Sequence, residues 1–445
     1  MSFTKSSFLI KAWQLLLAYI ALVPFYYLGP IDVSPGNITT ILTKYLPVIL
    51  ITLILLVLYS SKRLPLNNLR SVNLSVFFYV LVCTLSLLFY AEYPVLGLTK
   101  LIYYTFTGFL LFYLAIFSFA PNSIYYKVAR WVVTLAALVS GYGLLEYLTG
   151  RDLIWGLTNI KFNPYYTGTQ RIASTLGNAV CTGAYLTICF PFCLWSWSEA
   201  TSLRFRWLYG AVCILVLIAI LITFSRGAWI ATIVAVTIYH IPKIQKIKRY
   251  FSIDKAVFLM VFLLLTYTIL ARLGLESTFV EIEELAIKRA LNLTSLQESE
   301  AYRISQYSTV YNTLSVSPLL GIGFGNYHLS FEQYKHISTP ADSQLTTTDN
   351  MYLMILAETG IVGLCIFLLL IILLVQHFRT AHNNMKTQKE RDFVWMVMSA
   401  LCAFLINMAT WDALNHPAIR MTFWILVGIG FCPIISSYLN KKTRH

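Results

Sequence analysis

Three arginines stand where arginine is costly or isolated. Arg226 lies in Ile222-Thr-Phe-Ser-Arg-Gly-Ala-Trp-Ile230, with apolar sequence continuing on both sides. An arginine inside a membrane helix costs about 2.5 to 3.5 kcal/mol on insertion scales, so it is either paired and functional or snorkels to the interface. Gly227 permits a tight turn on both readings. Arg171 occurs in Gln170-Arg-Ile-Ala-Ser-Thr-Leu-Gly-Asn178 and Arg303 in Ala301-Tyr-Arg-Ile-Ser305. Singly, each reads as a solvated loop residue. Together they matter because guanidinium is a planar fork of donors matched to phosphate oxygens. Three of them converging would hold a diphosphate without a metal ion. A carboxylate completes the set: Asp349, followed by Asn350, stands just before a long apolar run, where it can cap a helix without being excluded from catalysis.

Other candidates are weaker. Glu281, Glu283, Glu284, Glu298 and Glu300 could hold a divalent ion, but they read better as a solvated helix face, and no Asp-x-Asp pair occurs anywhere. His328, His336 and His416 stand alone in the sequence and read as loop or interface residues. Glu358 falls inside an apolar stretch and must face protein or water. The eight cysteines fall in or beside apolar stretches with no zinc or disulfide spacing. No metal and no cofactor is expected.

The surroundings of these residues are overwhelmingly apolar. Of 445 residues, 58% are hydrophobic and 12% charged, against about a quarter charged in soluble domains. Such a chain cannot bury its apolar surface in water, and its solvent must be lipid. A span needs about 20 apolar residues, and twelve stretches qualify: 8–29, 41–60, 73–90, 97–120, 129–148, 178–197, 207–224, 226–242, 255–272, 351–376, 393–411 and 419–438. The expected fold is therefore an all-α polytopic membrane protein, one integral membrane domain over 1–445. No cleavable signal peptide pattern precedes the first stretch.

The net charge of +14 raises the question of nucleic acid, and its distribution answers it. With the N-terminus inside, the inner segments hold 21 of the 33 Lys and Arg and 4 of the 19 Asp and Glu. That is the positive-inside pattern of a multi-pass protein with both termini cytoplasmic. Lys243-Ile-Gln-Lys-Ile-Lys-Arg249 is then an anchor, and no nucleic acid is implied. The inner connections are short, whereas residues 273–350 form an outer loop far longer than an ordinary connection. An amphipathic helix is expected over 276–296 and a second over 300–315, ended by Ser317-Pro318 and the flexible turn Gly321-Ile-Gly-Phe-Gly325. Chemistry is expected at the outer face, where Tyr165, Tyr166, Tyr307 and Tyr311 could stack on rings or simply line the interface.

Four strings, in order and with this topology, resemble the O-antigen ligase and polymerase superfamily of bacterial envelope glycosyltransferases. They are Arg171-Ile-Ala-Ser-Thr-Leu-Gly-Asn178, Thr223-Phe-Ser-Arg-Gly-Ala228, Ser317-Pro-Leu-Leu-Gly-Ile-Gly-Phe-Gly-Asn326, and Asp349-Asn350 followed by Gly360-Ile-Val-Gly363. The resemblance implies metal-independent transfer of a glycan from a polyprenyl diphosphate carrier to a lipid or glycan hydroxyl, with inversion, at the outer face of the inner membrane. It places Arg171, Arg226 and Arg303 on the diphosphate, position 349 on the acceptor, and Asn350, Gly360 and Gly363 in support. Where ligases carry histidine this chain has Asp349, which can accept a proton but cannot become a cation. Ligase and polymerase both remain open. A lipid-glycan flippase is the alternative of a different class, less suited to an 80-residue outer loop.

Overall fold

A computed structural model describes residues 14, 16–25, 69–120, 124–150, 171–247, 294–336 and 347–442, with 25, 243–247, 294–303 and 437–442 in backbone only. Among the described residues every regular element is helical. Ten long helices follow in order: α1 (Arg70–Tyr90), α2 (Pro94–Phe119), α3 (Tyr125–Thr149), α4 (Ala179–Ser198), α5 (Leu203–Ile222), α6 (Arg226–Ile247), α7 (Thr294–Val316), α8 (Met351–Asn384), α9 (Gln388–Thr410) and α10 (Pro417–Lys442). Over the described residues eight of them, α1–α5 and α8–α10, are long and apolar enough to cross a membrane. The expected spans 41–60 and 255–272 lie outside the described residues. Of 8–29 only part is described, helical over 16–22 and closing in a 3-10 turn at Val23–Phe25.

Helix starts follow local chemistry. Asn178, in extended geometry, accepts hydrogen bonds from the Val180 and Cys181 amides and opens α4. Thr387 and Glu390 cap α9 reciprocally in a capping box. Helices α4 and α10 are apolar on all sides and buried on all sides, so they form the centre. Around them α3, α5, α6 and α9 pack on α4, while α2 and α9 pack on α10. Glycine sets the closest approach, since a Cβ at Gly428 of α10 would stand 2.5 Å from the Phe112 carbonyl oxygen of α2. Helices α1 and α5 instead expose Leu, Ile and Phe along one face, as helices in lipid do.

The long helix α8 is broken. Gly360 has φ 67° and ψ −170°, and the helix changes direction there. In lipid every backbone group freed by such a break needs a protein partner, and the 317–326 turn supplies them. Ile322 and Gly323 donate their amides to the Ala357 and Glu358 carbonyls at 3.0 and 3.2 Å, while Ile361 and Val362 donate to the Pro318 and Leu319 carbonyls at 3.0 and 3.2 Å. Ser86 Oγ of α1 also donates to the Glu358 carbonyl, at 2.7 Å. The two chains approach so closely that a Cβ at Gly321 would lie 2.5 Å from the Ala357 oxygen, and one at Gly360 would collide with the Leu319 backbone. Gly363, the other glycine of that string, faces the Thr359 side chain one turn earlier.

This geometry makes a test. Gly360→Ala meets both a left-handed φ, worth about 1–3 kcal/mol of backbone strain, and a clash with backbone that cannot yield. A fall of several degrees in unfolding temperature is expected in detergent micelles; unchanged unfolding would show that the break is not anchored by the glycine turn.

Candidate functional site

The candidate residues lie at the helix ends expected from charge to be extracytoplasmic. The segment 171–176 is laid onto α3 by Glu146, a buried carboxylate in the last turn of that helix. The Ala173 and Ser174 amides donate to its two oxygens at 3.0 and 2.7 Å. Ser174 takes a left-handed φ of 50° and its hydroxyl donates to the Val139 carbonyl at 2.7 Å. Gly143 leaves room for Ile172, whose Cδ1 would sit 2.7 Å from a Cβ there. Sequence reasoning overlooked Glu146; an acidic residue one turn from the end of an apolar helix was the available signal.

So fixed, Arg171 reaches across to the turn between α5 and α6. Its Nε donates to the Thr223 carbonyl at 2.8 Å, and the Ile172 amide donates to the Ile222 carbonyl at 3.4 Å. Two arginine motifs about 50 residues apart in sequence thus meet at one turn. Phe224 takes φ 49° with its ring buried, and the Ser225 amide donates to Thr223 Oγ1 at 3.3 Å. Arg226 follows as the first residue of α6, half-buried, with no hydrogen-bond or ion-pair partner among the described residues. Gly227 lets this turn press on Thr410 at the end of α9. Gly183 of α4 lets it press from the other side, where a Cβ would stand 2.9 Å from that of Ala228 and 3.4 Å from that of Ser225.

Asp349 does not cap α8. Asn350 takes that role, accepting from the Tyr352 and Leu353 amides at 2.9 and 3.3 Å. Cap and carboxylate are therefore separate residues, which the sequence left combined. Asp349 is held through its backbone: its amide donates to Gln306 Oε1 at 3.0 Å, and Gln306 Nε2 donates to the Thr347 carbonyl at 3.3 Å. Gln306 is buried on α7 and was not singled out from sequence. Arg303 lies one turn earlier on the same helix; its side chain falls outside the described residues. Helix α7 begins at Thr294, earlier than the expected 300, and ends at Val316 before Ser317-Pro318 as expected. Tyr307 and Tyr311 are 55% and 70% exposed, open to contact, whereas Tyr165, Tyr166 and residues 276–293 of the expected helix 276–296 are outside the described residues; 294–296 belong to α7.

Two further charges are engaged in structure. Glu358, 2% exposed beside the α8 break, pairs with Lys100 of α2 at 3.5 Å. Arg420, in the first turn of α10, is also buried; its Nε donates to Thr107 Oγ1 at 2.9 Å and Nη1 to the Leu414 carbonyl. The guanidinium lies 4.5 and 5.3 Å from the ring centres of Tyr104 and Tyr103. His416 is not isolated, contrary to the sequence reading: it stands beside Asp412, Trp411 and Cys181.

The described helices thus place an arginine-bearing turn and a carboxylate-bearing helix start in a multi-pass helical membrane protein. Residues 211–368 match the family model described as O-antigen ligase. The match spans about a third of the chain and supports a relationship to the O-antigen ligase superfamily, whose proteins are glycosyltransferase-like enzymes acting on lipid-linked glycans in a membrane. The match contains Arg226, Arg303, Asp349, Asn350, Gly360 and Gly363; Arg171 precedes it. No curated protein matches the chain.

Breaking a buried ion pair leaves its partner charge uncompensated, at a cost of about 3–5 kcal/mol. For Lys100→Met the low end is expected, because a third of the lysine side chain is accessible and water screens it. Adding Glu358→Gln should restore much of the loss. A double variant no more stable than Lys100→Met alone would show that the pair does not act as a unit.

Proposed function

We propose that the chain is a metal-independent glycosyltransferase of the bacterial inner membrane. It moves a glycan from a polyprenyl diphosphate carrier to a lipid or glycan hydroxyl at the extracytoplasmic face, in lipopolysaccharide or other surface-polysaccharide assembly. The observation that carries this reading is the meeting of Arg171 with the turn that presents Arg226, whose guanidinium has no partner among the described residues. A half-buried guanidinium without a protein partner is favoured by an anion that uses its donors, and a diphosphate entering from lipid is such an anion.

In the proposed reaction Asp349 accepts the proton of the acceptor hydroxyl as its oxygen attacks the anomeric carbon. The bond from that carbon to the carrier oxygen breaks on the opposite face, and its electron pair leaves on the diphosphate. The configuration inverts. Arg226, with Arg171 and Arg303, meets the charge growing on the leaving diphosphate, which is electrostatic stabilisation in a partly dry site. Capping by Asn350 supports this division of labour, because it leaves the Asp349 side chain out of the helix terminus. The exposed rings of Tyr307 and Tyr311, one turn apart on α7, suit stacking on the sugars of the glycan. The long loop 273–350 would close over it within a single membrane domain, with both termini cytoplasmic.

The experiment is transfer by purified protein, using a carrier-linked donor and defined acceptors. Asp349→Asn should lower turnover by about 10²–10⁴-fold, the range of general acid–base catalysis, and Arg226→Ala by about 10²–10³-fold. Full turnover in Asp349→Asn would remove the proposed base. Attachment of the glycan to lipid A–core marks a ligase, extension of a second carrier-linked repeat marks a polymerase, and movement of intact carrier across vesicles without transfer would replace the enzyme by a flippase.

A further inference from the structure

Helix α7 carries a buried amide that has no part in the proposed reaction. Gln306 is 3% exposed, and both ends of its carboxamide are bonded to the main chain just ahead of α8. Its Oε1 accepts from the Asp349 amide at 3.0 Å, and its Nε2 donates to the Thr347 carbonyl at 3.3 Å. The partners fix the orientation, since a main-chain N–H can meet only the oxygen and a carbonyl only the nitrogen. The Thr347 carbonyl and the Asp349 amide flank Thr348, and one carboxamide closes on both as a neighbouring peptide group would. No other uncharged side chain of this length offers a donor and an acceptor side by side.

Other bonds tie this segment to α8. The hydroxyl of buried Thr348 donates to the Asn350 carbonyl at 2.7 Å, the same carbonyl accepts from the Met354 amide at 3.1 Å, and the Asn350 side chain caps the helix. The Gln306 pair ties it to a different helix, and that helix is pinned in turn. Thr309 Oγ1 accepts from the His336 amide at 3.2 Å, and Asn312 Nδ2 donates to the Tyr334 carbonyl at 3.0 Å. Gln306, Thr309 and Asn312 stand three residues apart, so they run along one side of α7, each bonded to loop main chain. We propose that Gln306 is a positioning residue for the transfer. Its carboxamide sets where position 349 stands relative to α7, the helix that also carries Arg303. This rests on the reading of Asp349 as the base. Gln306 itself touches neither the sugar nor the moving proton. A general base must stand within hydrogen-bond reach of the hydroxyl it deprotonates, and a misplacement of about 1 Å can cost about a hundredfold in rate. Without the carboxamide the 347–349 main chain loses its hold on α7, while the Asn350 cap still starts α8.

The test is steady-state transfer by the purified full-length protein, with a carrier-linked donor and the acceptor that the wild type uses. Gln306→Met, close to glutamine in length but without either hydrogen bond, should lower kcat about 10- to 100-fold and leave the donor KM within about twofold. Gln306→Asn, the same amide one methylene short, should show the same split, and it carries the test if the methionine variant does not fold. A merely structural role would not produce the next result. Combined with Asp349→Asn, either substitution should cost nothing further, because a base already removed cannot be misplaced. Wild-type kcat in both single variants, a loss carried by donor KM instead of kcat, or an equal loss in the Asp349→Asn background overturns the proposal. The two readings fail separately. Full turnover in Asp349→Asn removes the base and this proposal with it, as does a wild type that transfers no glycan to any acceptor. An impaired Asp349→Asn beside fully active Gln306 variants removes the positioning role alone.

Discussion

Inside a bilayer a broken helix has no water to complete its hydrogen bonds, so the break in α8 at Gly360 exists only because another stretch of backbone fills it. The Pro318–Gly323 turn does this with four main-chain hydrogen bonds, two to the carbonyls that end the first half-helix and two from the amides that begin the second. The short half-helix from Met351 to Thr359 is thereby freed from the direction of the rest of α8, and its start, with Asp349 and Asn350, is set at the end of the bundle. The glycine positions in both strings follow from the same contact. Gly321 and Gly360 take left-handed backbone angles at the closest approach of the two chains, and neither tolerates a side chain.

Charge at this end divides into what holds the fold and what is left over. Glu146 is occupied by two amides of the Arg171 segment, Glu358 by Lys100, and Arg420 by Thr107, a carbonyl and two tyrosine rings. Each is buried, and each has partners that offset its desolvation. Arg226 is different in kind, half-buried and without such a partner among the described residues. Among the described residues the fold settles the buried charges of Glu146, Glu358 and Arg420 and leaves Arg226 beside a second arginine segment, which is the arrangement the proposed anion site draws on. The match of residues 211–368 to the O-antigen ligase model is consistent with that proposal, since the family handles lipid-linked glycans.

Hydropathy and charge were enough to read the membrane environment and eight of the spans, because lipid imposes length and apolarity on every crossing segment regardless of its neighbours. The motif residues were legible too. Arg226 announces itself by its cost in an apolar stretch, and the glycines by their spacing. What the sequence could not express was partnership. Asp349 and Asn350 are both good capping residues, and only the extended geometry at Asn350 decides which one caps. His416 is solitary in the sequence because Cys181 is 235 residues away, and Gln306 carries no sign of the loop backbone it holds.

The division has a simple physical origin. Burial of apolar surface acts on segments one at a time, so composition and periodicity alone determined a multi-pass helical membrane protein, while the positive-inside bias gave the expected orientation of its unusual charges. Convergence of Arg171 on the Thr223 turn, the stapled break at Gly360, and the sorting of buried charges into spent and uncommitted depend on distances between residues far apart in the chain. Hydrogen bonds and ion pairs decay within a few ångströms, and only the packed helices bring their ends that close.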